Sequence, residues 1–174
     1  MVMIEPVSPD APAASTIVRA YMLDVASRWF NRPATAREVD QALLDEPCDD
    51  LDGDAGVLFL ATEDDQPIGC VGVQFTAGVA ELTKVFTLPA HRGRGVGSRL
   101  LRAAEEACRE RGISTVRLDT RAELGEACAL YERLGFESVD AFNDEPYSDR
   151  WYSKGSRPWG TSVDDRAARG RLRP

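Results

Sequence analysis

A chain of 174 residues with 43% hydrophobic and 29% charged residues has the length and make-up of one soluble globular domain, which excludes fibrous and wholly disordered classes. The formal net charge of −8 sets the molecule against wide phosphate-backbone binding, which needs clustered positive charge, so nucleic acid is not an expected partner. Cys48, Cys70, Cys108 and Cys128 are widely spaced and form no CxxC pair, which removes zinc-ribbon and thioredoxin-like readings and fits reduced thiols in the cytoplasm.

The first residues, MVMIEPVSPDAPAAS, lack the basic and apolar regions of a secretory signal, and no apolar run approaches the ~20 residues of a membrane span. The expectation is a cytoplasmic protein without a membrane partner. Residues 2 to 7 read as an opening strand ended by Ser8, Pro9 and Asp10. Ile17, Tyr21, Val25 and Trp29 then recur every four residues, with Val18 and Met22 widening the stripe, which predicts an amphipathic helix over 14 to 30. Asn31, Arg32 and Pro33 break it. Thr35 and Glu38 have capping-box spacing, so a shorter helix follows to about Asp45. Residues 45 to 54 are carboxylate-rich with Pro47 and Gly53 and read as a solvated loop rather than an acidic metal site.

From Val57 the period changes to that of strands. VLFLAT, PIGCVGVQF and VAELTKVFT, separated by DDQ and by Ala77-Gly78, predict an antiparallel meander. A helix starts near Gly97 or Ser98, buries Leu100, Leu101, Ala104, Ala107 and Cys108, and stops at Gly112. STVRLDT is a strand, residues 125 to 134 are a helix closed by Gly135, and FESVDAF and RWYSK are two further strands. One domain is expected over 1–155. Residues 156–174, rich in Pro, Gly and Arg, read as a partly disordered, Arg-rich tail.

The chemistry concentrates between the third strand of the meander and the long helix, in Arg92-Gly93-Arg94-Gly95-Val96-Gly97 followed by Ser98. Glycine lets the backbone turn sharply and approach a ligand, and the first helical turn offers unpaired N–H groups and a positive dipole end. With Arg92 and Arg94 adding charge, a pyrophosphate fits better than a lone carboxylate. A P-loop would end GK[ST], and a dinucleotide loop would read GxGxxG in a parallel unit; neither spelling is present.

These residues resemble the GNAT superfamily of N-acetyltransferases, whose signature loop begins with Arg or Gln, then Gly-x-Gly-x and Gly or Ala. Glu81-Leu82-Thr83-Lys84, Pro89 and Ala129-Leu130-Tyr131-Glu132-Arg133-Leu134-Gly135-Phe136 extend the likeness over about residues 2 to 154. The resemblance implies a mixed α/β fold with a mostly antiparallel sheet of six to seven strands, about four flanking helices, and splayed strands four and five. It implies acetyl-CoA as cosubstrate and no metal. Backbone groups of Val85, Phe86 and Thr87 would hold the pantetheine arm and thioester carbonyl, and amides from Arg92 through Ser98 the pyrophosphate.

Acyl transfer to an amine needs a neutral amine, oxyanion stabilisation and a proton for the departing thiolate. The resemblance places Tyr131 near the thioester sulfur as proton donor. Glu81 stands where some relatives use a base; orienting a neighbour or pairing with Lys84 or an arginine is the competing role. His91, in the anion loop, reads as solvent-facing or as loop packing. Cys108 and Cys128 lack a histidine partner and read as small apolar residues. Trp29 on the first helix and Asn143, Tyr147 and Arg150 in the late loop, with Asp144, Glu145 and Asp149 nearby, are candidate substrate contacts. The expected acceptor is a small primary amine, amino-acid-like or polyamine-like. A noncatalytic CoA-binding module and acetylation of a protein amine are the alternatives. Relatives often dimerise, so a homodimer is the implied assembly, although no sequence feature fixes its contact.

Overall fold

The alternating apolar runs pair into one sheet in the computed structural model, which describes residues 1–155; the Arg-rich tail lies outside the described residues. β1 (Met3–Val7) lies antiparallel to β2 (Gly56–Glu63), β2 to β3 (Gln66–Thr76), and β3 to β4 (Val79–Thr87). The β2–β3 turn carries Asp64 and Asp65 with φ of 50° and 62°, a twist that matches the flanking strands. β5 (Thr115–Thr120) is parallel to β4. β6 (Glu137–Ser138) and β7 (Arg150–Gly155) complete the order β1-β2-β3-β4-β5-β7-β6.

Strand alternation splits the core in two. On one face, Leu58, Leu60, Cys70 and Phe86 meet Ala14, Ile17 and Val18 of α1 (Pro12–Phe30). On the other, Val71, Val73, Ala80 and Leu82 meet Leu100, Leu101, Ala104 and Cys108 of α3 (Val96–Glu110). Each fully buried side chain of this size contributes about 1.5–3 kcal/mol. α2 (Ala36–Asp45) packs beside α1, and its capping box is formed: the Glu38 amide donates to Thr35 Oγ1 at 3.2 Å and the Thr35 amide to Glu38 Oε1 at 2.9 Å. α4 (Gly125–Arg133) follows β5.

Four expectations change. α1 starts at Pro12, two residues early, because proline suits a helix's first turn. Its apolar stripe leaves the sheet, so Tyr21 and Val25 are half-buried and Trp29 is 48% exposed. The acidic loop is solvated only in part, since Leu51 plugs the α1-side core at 1% exposure. FESVDAF pairs as a strand only over Glu137–Ser138, with one more main-chain bond from the Val139 amide to Trp151, and the chain beyond it is held to β5 through Asn143 and Ser148.

Two irregularities position the site. Between Cys70 and Gly72 the β3–β4 register shifts, so that Lys84 and Val85 stand opposite Val71, and Lys84 takes φ 53° at this bulge. β4 and β5 pair only from Val79↔Thr115 to Glu81↔Arg117, although β4 runs on to Thr87 and β5 to Thr120. Beyond that rung the two strands part.

Candidate active site

The part opens toward the start of α3. Gly93 and Gly95 take φ of 75° and 80°, and a Cβ at either would meet nothing within 4 Å, so the loop faces open space. α3 begins at Val96 with Gly95 as its N-cap and no side-chain cap. The Arg92 amide donates to the Pro89 carbonyl at 3.3 Å, and the Arg99 amide to Gly95 at 3.1 Å. Between them the amides of Gly93 through Ser98 have no acceptor among the described residues. A row of open N–H groups at the positive end of a fifteen-residue helix fits a pyrophosphate without further help.

The two loop arginines are engaged elsewhere. Arg92 Nε donates to the Thr87 carbonyl at 2.9 Å, its Nη atoms lie 3.7 Å from Asp24 and Glu126, and its guanidinium covers Phe86. Arg94 makes two bonds to Glu63, at 2.6 and 3.0 Å, which hold that carboxyl below its usual range. Both therefore brace the loop, and the backbone is left to meet the anion. His91 lies beside them, with Nε2 3.6 Å from Glu63 and Nδ1 buried without a hydrogen bond.

Tyr131 projects from α4 into the α3-side core at 4% exposure, with its ring 5.9 Å from Phe136 and 5.8 Å from Tyr152. Burial, with smaller contributions from Cys128 and Asp119, pushes its phenol well above the ordinary range, so it holds its proton at neutral pH. No described residue bonds its hydroxyl. α4 is set close to the anion loop, since a Cβ on Gly97 would come within 2.8 Å of Leu130. Glu81 occupies the last β4–β5 rung, and its Oε1 lies 2.8 Å from Arg117 Nε and 2.7 Å from Arg117 Nη2. Arg117 also covers the Phe142 ring.

On the α1 side, residues 139–149 close over the β5 end. Half-buried Asp119 accepts from Asn143 Nδ2 at 2.8 Å and from Ser148 Oγ at 2.6 Å, while Asn143 Oδ1 accepts from Trp151 Nε1 at 2.8 Å. The Ala122 amide donates to Asp149 at 2.7 Å. The loop then presents exposed Tyr147 edge-on to Trp29, ring centroids 4.9 Å apart, with buried Arg121 under Trp29. Of the sequence candidates, Trp29 and Tyr147 meet, Asn143 is spent on holding the loop, and exposed Arg150 pairs with Thr120 at the start of β7. Asp119, Asp24, Glu63 and Glu126 escaped the sequence reading, and Glu81 pairs with an arginine, Arg117, and not with Lys84.

A mixed sheet that parts where β4 runs parallel to β5, with a helix start of open amides beside the part, sets the class of fold. The chain belongs to the acetyltransferase (GNAT) family, whose model matches residues 21–136 and whose members use acetyl-CoA. It is similar to the uncharacterized N-acetyltransferase YjgM of Escherichia coli (strain K12), 48% identical over 62 residues, which span 36% of this chain and 37% of that protein. A GNAT-family acetyltransferase of Staphylococcus aureus Mu50 shares the fold with TM-score 0.73 at 19% identity, over 90% of this chain and 100% of that one. The PaiA N-acetyltransferase of Thermoplasma acidophilum, solved in complex with coenzyme A, does so with TM-score 0.69 at 20% identity, over 89% and 99%. Among the described residues no helix is long and apolar enough to cross a membrane.

Proposed function

We propose that this chain moves an acetyl group from acetyl-CoA to the primary amine of a small molecule, amino-acid-like or polyamine-like, by direct attack in a ternary complex. One observation carries the reading: β4 and β5 part beyond Glu81 and Arg117 and lead to the open amide row from Gly93 to Ser98. Bound there, acetyl-CoA supplies an acyl carbon activated as a thioester. Main-chain groups of Val85, Phe86 and Thr87 hold the pantetheine arm along the β4 edge that β5 has left. The amide row holds the pyrophosphate, with Arg92 and Arg94 keeping its shape.

As the N–C bond forms and the C–S bond breaks, one proton leaves the amine and one reaches the sulfur. Glu81, fixed by Arg117, takes the first, directly or through water, and Tyr131 gives the second. The buried phenol is fully protonated in the working range and so has a proton to give; the same burial makes it a weaker acid, so donation waits on the charge that develops on the departing sulfur. Trp29 and Tyr147 form an aromatic edge for the acceptor, Asn143 acts through the loop it pins, and Arg150 flanks the opening. The free thiols of Cys48, Cys70, Cys108 and Cys128 suit a cytoplasmic setting. A homodimer belongs to the same reading, and sedimentation of the full chain tests it.

Calorimetric titration with CoA tests the cofactor; no binding at millimolar ligand sinks the proposal. Thiol release across amino acids, polyamines, aminoglycosides and peptides tests the acceptor. Turnover confined to peptides would replace the small molecule by a protein amine, and CoA binding with no turnover would leave a sensing module.

A further inference from the structure

Four charged side chains meet where α1, the anion loop and the start of α4 come together. Arg28 of α1 places Nη1 2.5 Å from Glu126 Oε1, and Nε 3.4 Å from Asp24 Oδ2 one turn back on its own helix. Arg92 of the anion loop sets its two Nη atoms 3.7 Å from the same two carboxylates. Two anions are thus shared between two guanidiniums, and the charge balances. The Asp24, Arg28 and Arg92 side chains are 24, 26 and 29% exposed, and a partly buried network of this kind holds geometry where a lone surface pair does not.

Glu126 is the second residue of α4, whose start has no side-chain cap, so its carboxylate also stands at the positive end of that helix. α4 is held at two further points. A Cβ on Gly97 would come within 2.8 Å of Leu130, which sets the helix against the start of α3. Tyr152 Oη donates to Glu132 Oε1 at 2.8 Å, which ties its far end to β7. The Arg28–Glu126 pair adds the tie to α1, the helix that carries Trp29. Since no described residue bonds the Tyr131 hydroxyl, its place follows from where α4 stands. A reacting group is sensitive to such placement, because a shift of about 1 Å costs on the order of 100-fold in rate.

We propose that Arg28 and Glu126 are positioning residues: with Asp24 and Arg92 they lock the start of α4 to α1 and to the anion loop, and so hold the Tyr131 phenol in register with the thioester sulfur. The proposal rests on the acyl-transfer reading above, with Tyr131 as its proton donor.

The test measures kcat, acceptor KM and CoA affinity by calorimetry for the full chain and for R28M, R28K and E126Q, each with and without Y131F. R28M and E126Q should lower kcat by about tenfold, as a misplaced reacting group does, with CoA affinity unchanged, while R28K keeps most of the rate. E126Q alters a side chain that is 48% exposed and carries the test if R28M loses the fold. In the Y131F background the same changes should cost nothing further, because their effect runs through the phenol. A merely structural loss would lower kcat by the same factor in both backgrounds. Undiminished kcat in R28M and E126Q, or an equal loss with and without Tyr131, overturns the proposal and leaves the proton donor in place. Wild-type kcat in Y131F alone removes the donor and the positioning role with it. If CoA binds and no amine turns over, the acyl-transfer reading fails by itself, and amide exchange of the CoA-loaded chain decides the lock. Exchange over 125–133 that R28M speeds about tenfold, with 96–110 unmoved, upholds it, and equal exchange in the two chains overturns it.

Discussion

The anion loop and the late loop flank the same opening and are built on opposite plans. Residues 92–98 are contiguous, set by glycine φ values and a helix start, and their working groups are backbone amides. Residues 139–149 hold no regular structure and take their shape from side-chain bonds to Asp119 and from Tyr147 meeting Trp29 on α1. On the proposed reading the first plan meets what is common to every CoA thioester, through groups that carry no side chain. The second can be rebuilt residue by residue, which suits the selection of an acceptor.

Substitutions within the two loops and away from them test this contrast, each set beside its control. Tyr131→Phe belongs to neither loop and should lower kcat by about 100-fold or more, the range of a lost general acid, with CoA affinity by calorimetry unchanged. Because its phenol is raised far above neutrality, the wild-type rate profile should show no limb from Tyr131 between pH 6 and 9. Gly95→Val forces a β-branched residue to φ 80° and should weaken CoA binding by about tenfold or more, from roughly 1–3 kcal/mol of strain. Gly97→Ala should cost much less, since only the flexible end of Leu130 stands in the way. If the two glycines respond alike, backbone conformation is not what builds the anion loop.

Asp119→Ala strips two of the bonds that pin the late loop and should raise the acceptor KM about tenfold, consistent with about 1.5–3 kcal/mol for a charged hydrogen bond. CoA affinity should not move; if it falls equally, the two loops are one unit. The smallest effect is remote from both. Thr35→Ala removes the α2 cap and should cost about 1 kcal/mol in urea unfolding, with kcat/KM preserved. The bonds from Arg32 and the Thr35 amide hold Glu38 down at about 2, against an ordinary 4.5. Its contribution is therefore full above pH 4.5 and lost as pH falls through about 2, and an acid titration of wild type against Glu38→Gln measures it.

Local rules were legible wherever one stretch of chain settles the outcome. The capping box at Thr35 and Glu38, the Asp64-Asp65 hairpin and the strand-loop-helix from Val79 to Glu110 all follow from neighbours in sequence. Readings failed where distant partners decide. FESVDAF has strand alternation, yet the strand stops at Ser138, and the loop that follows is held by bonds from Asn143 and Ser148 to Asp119 on β5. Leu51 looked solvated among carboxylates and proved to be core. Arg92 and Arg94 add charge to the anion loop, and their pairing with Asp24, Glu63 and Glu126, each far off in sequence, had no local signal.

The sequence by itself determined the elements, the anion loop and the resemblance to the acetyltransferase family, because periodicity, glycine conformation and helix-start chemistry act over a few adjacent residues. Only the tertiary structure decided that the β4–β5 ladder ends at Glu81 and Arg117 and that the loop arginines pair with Asp24, Glu63 and Glu126. Those outcomes depend on which charges and strands meet across long stretches of chain, from 31 residues for Arg94 and Glu63 to 68 for Arg92 and Asp24, and no spacing rule encodes a meeting of that kind.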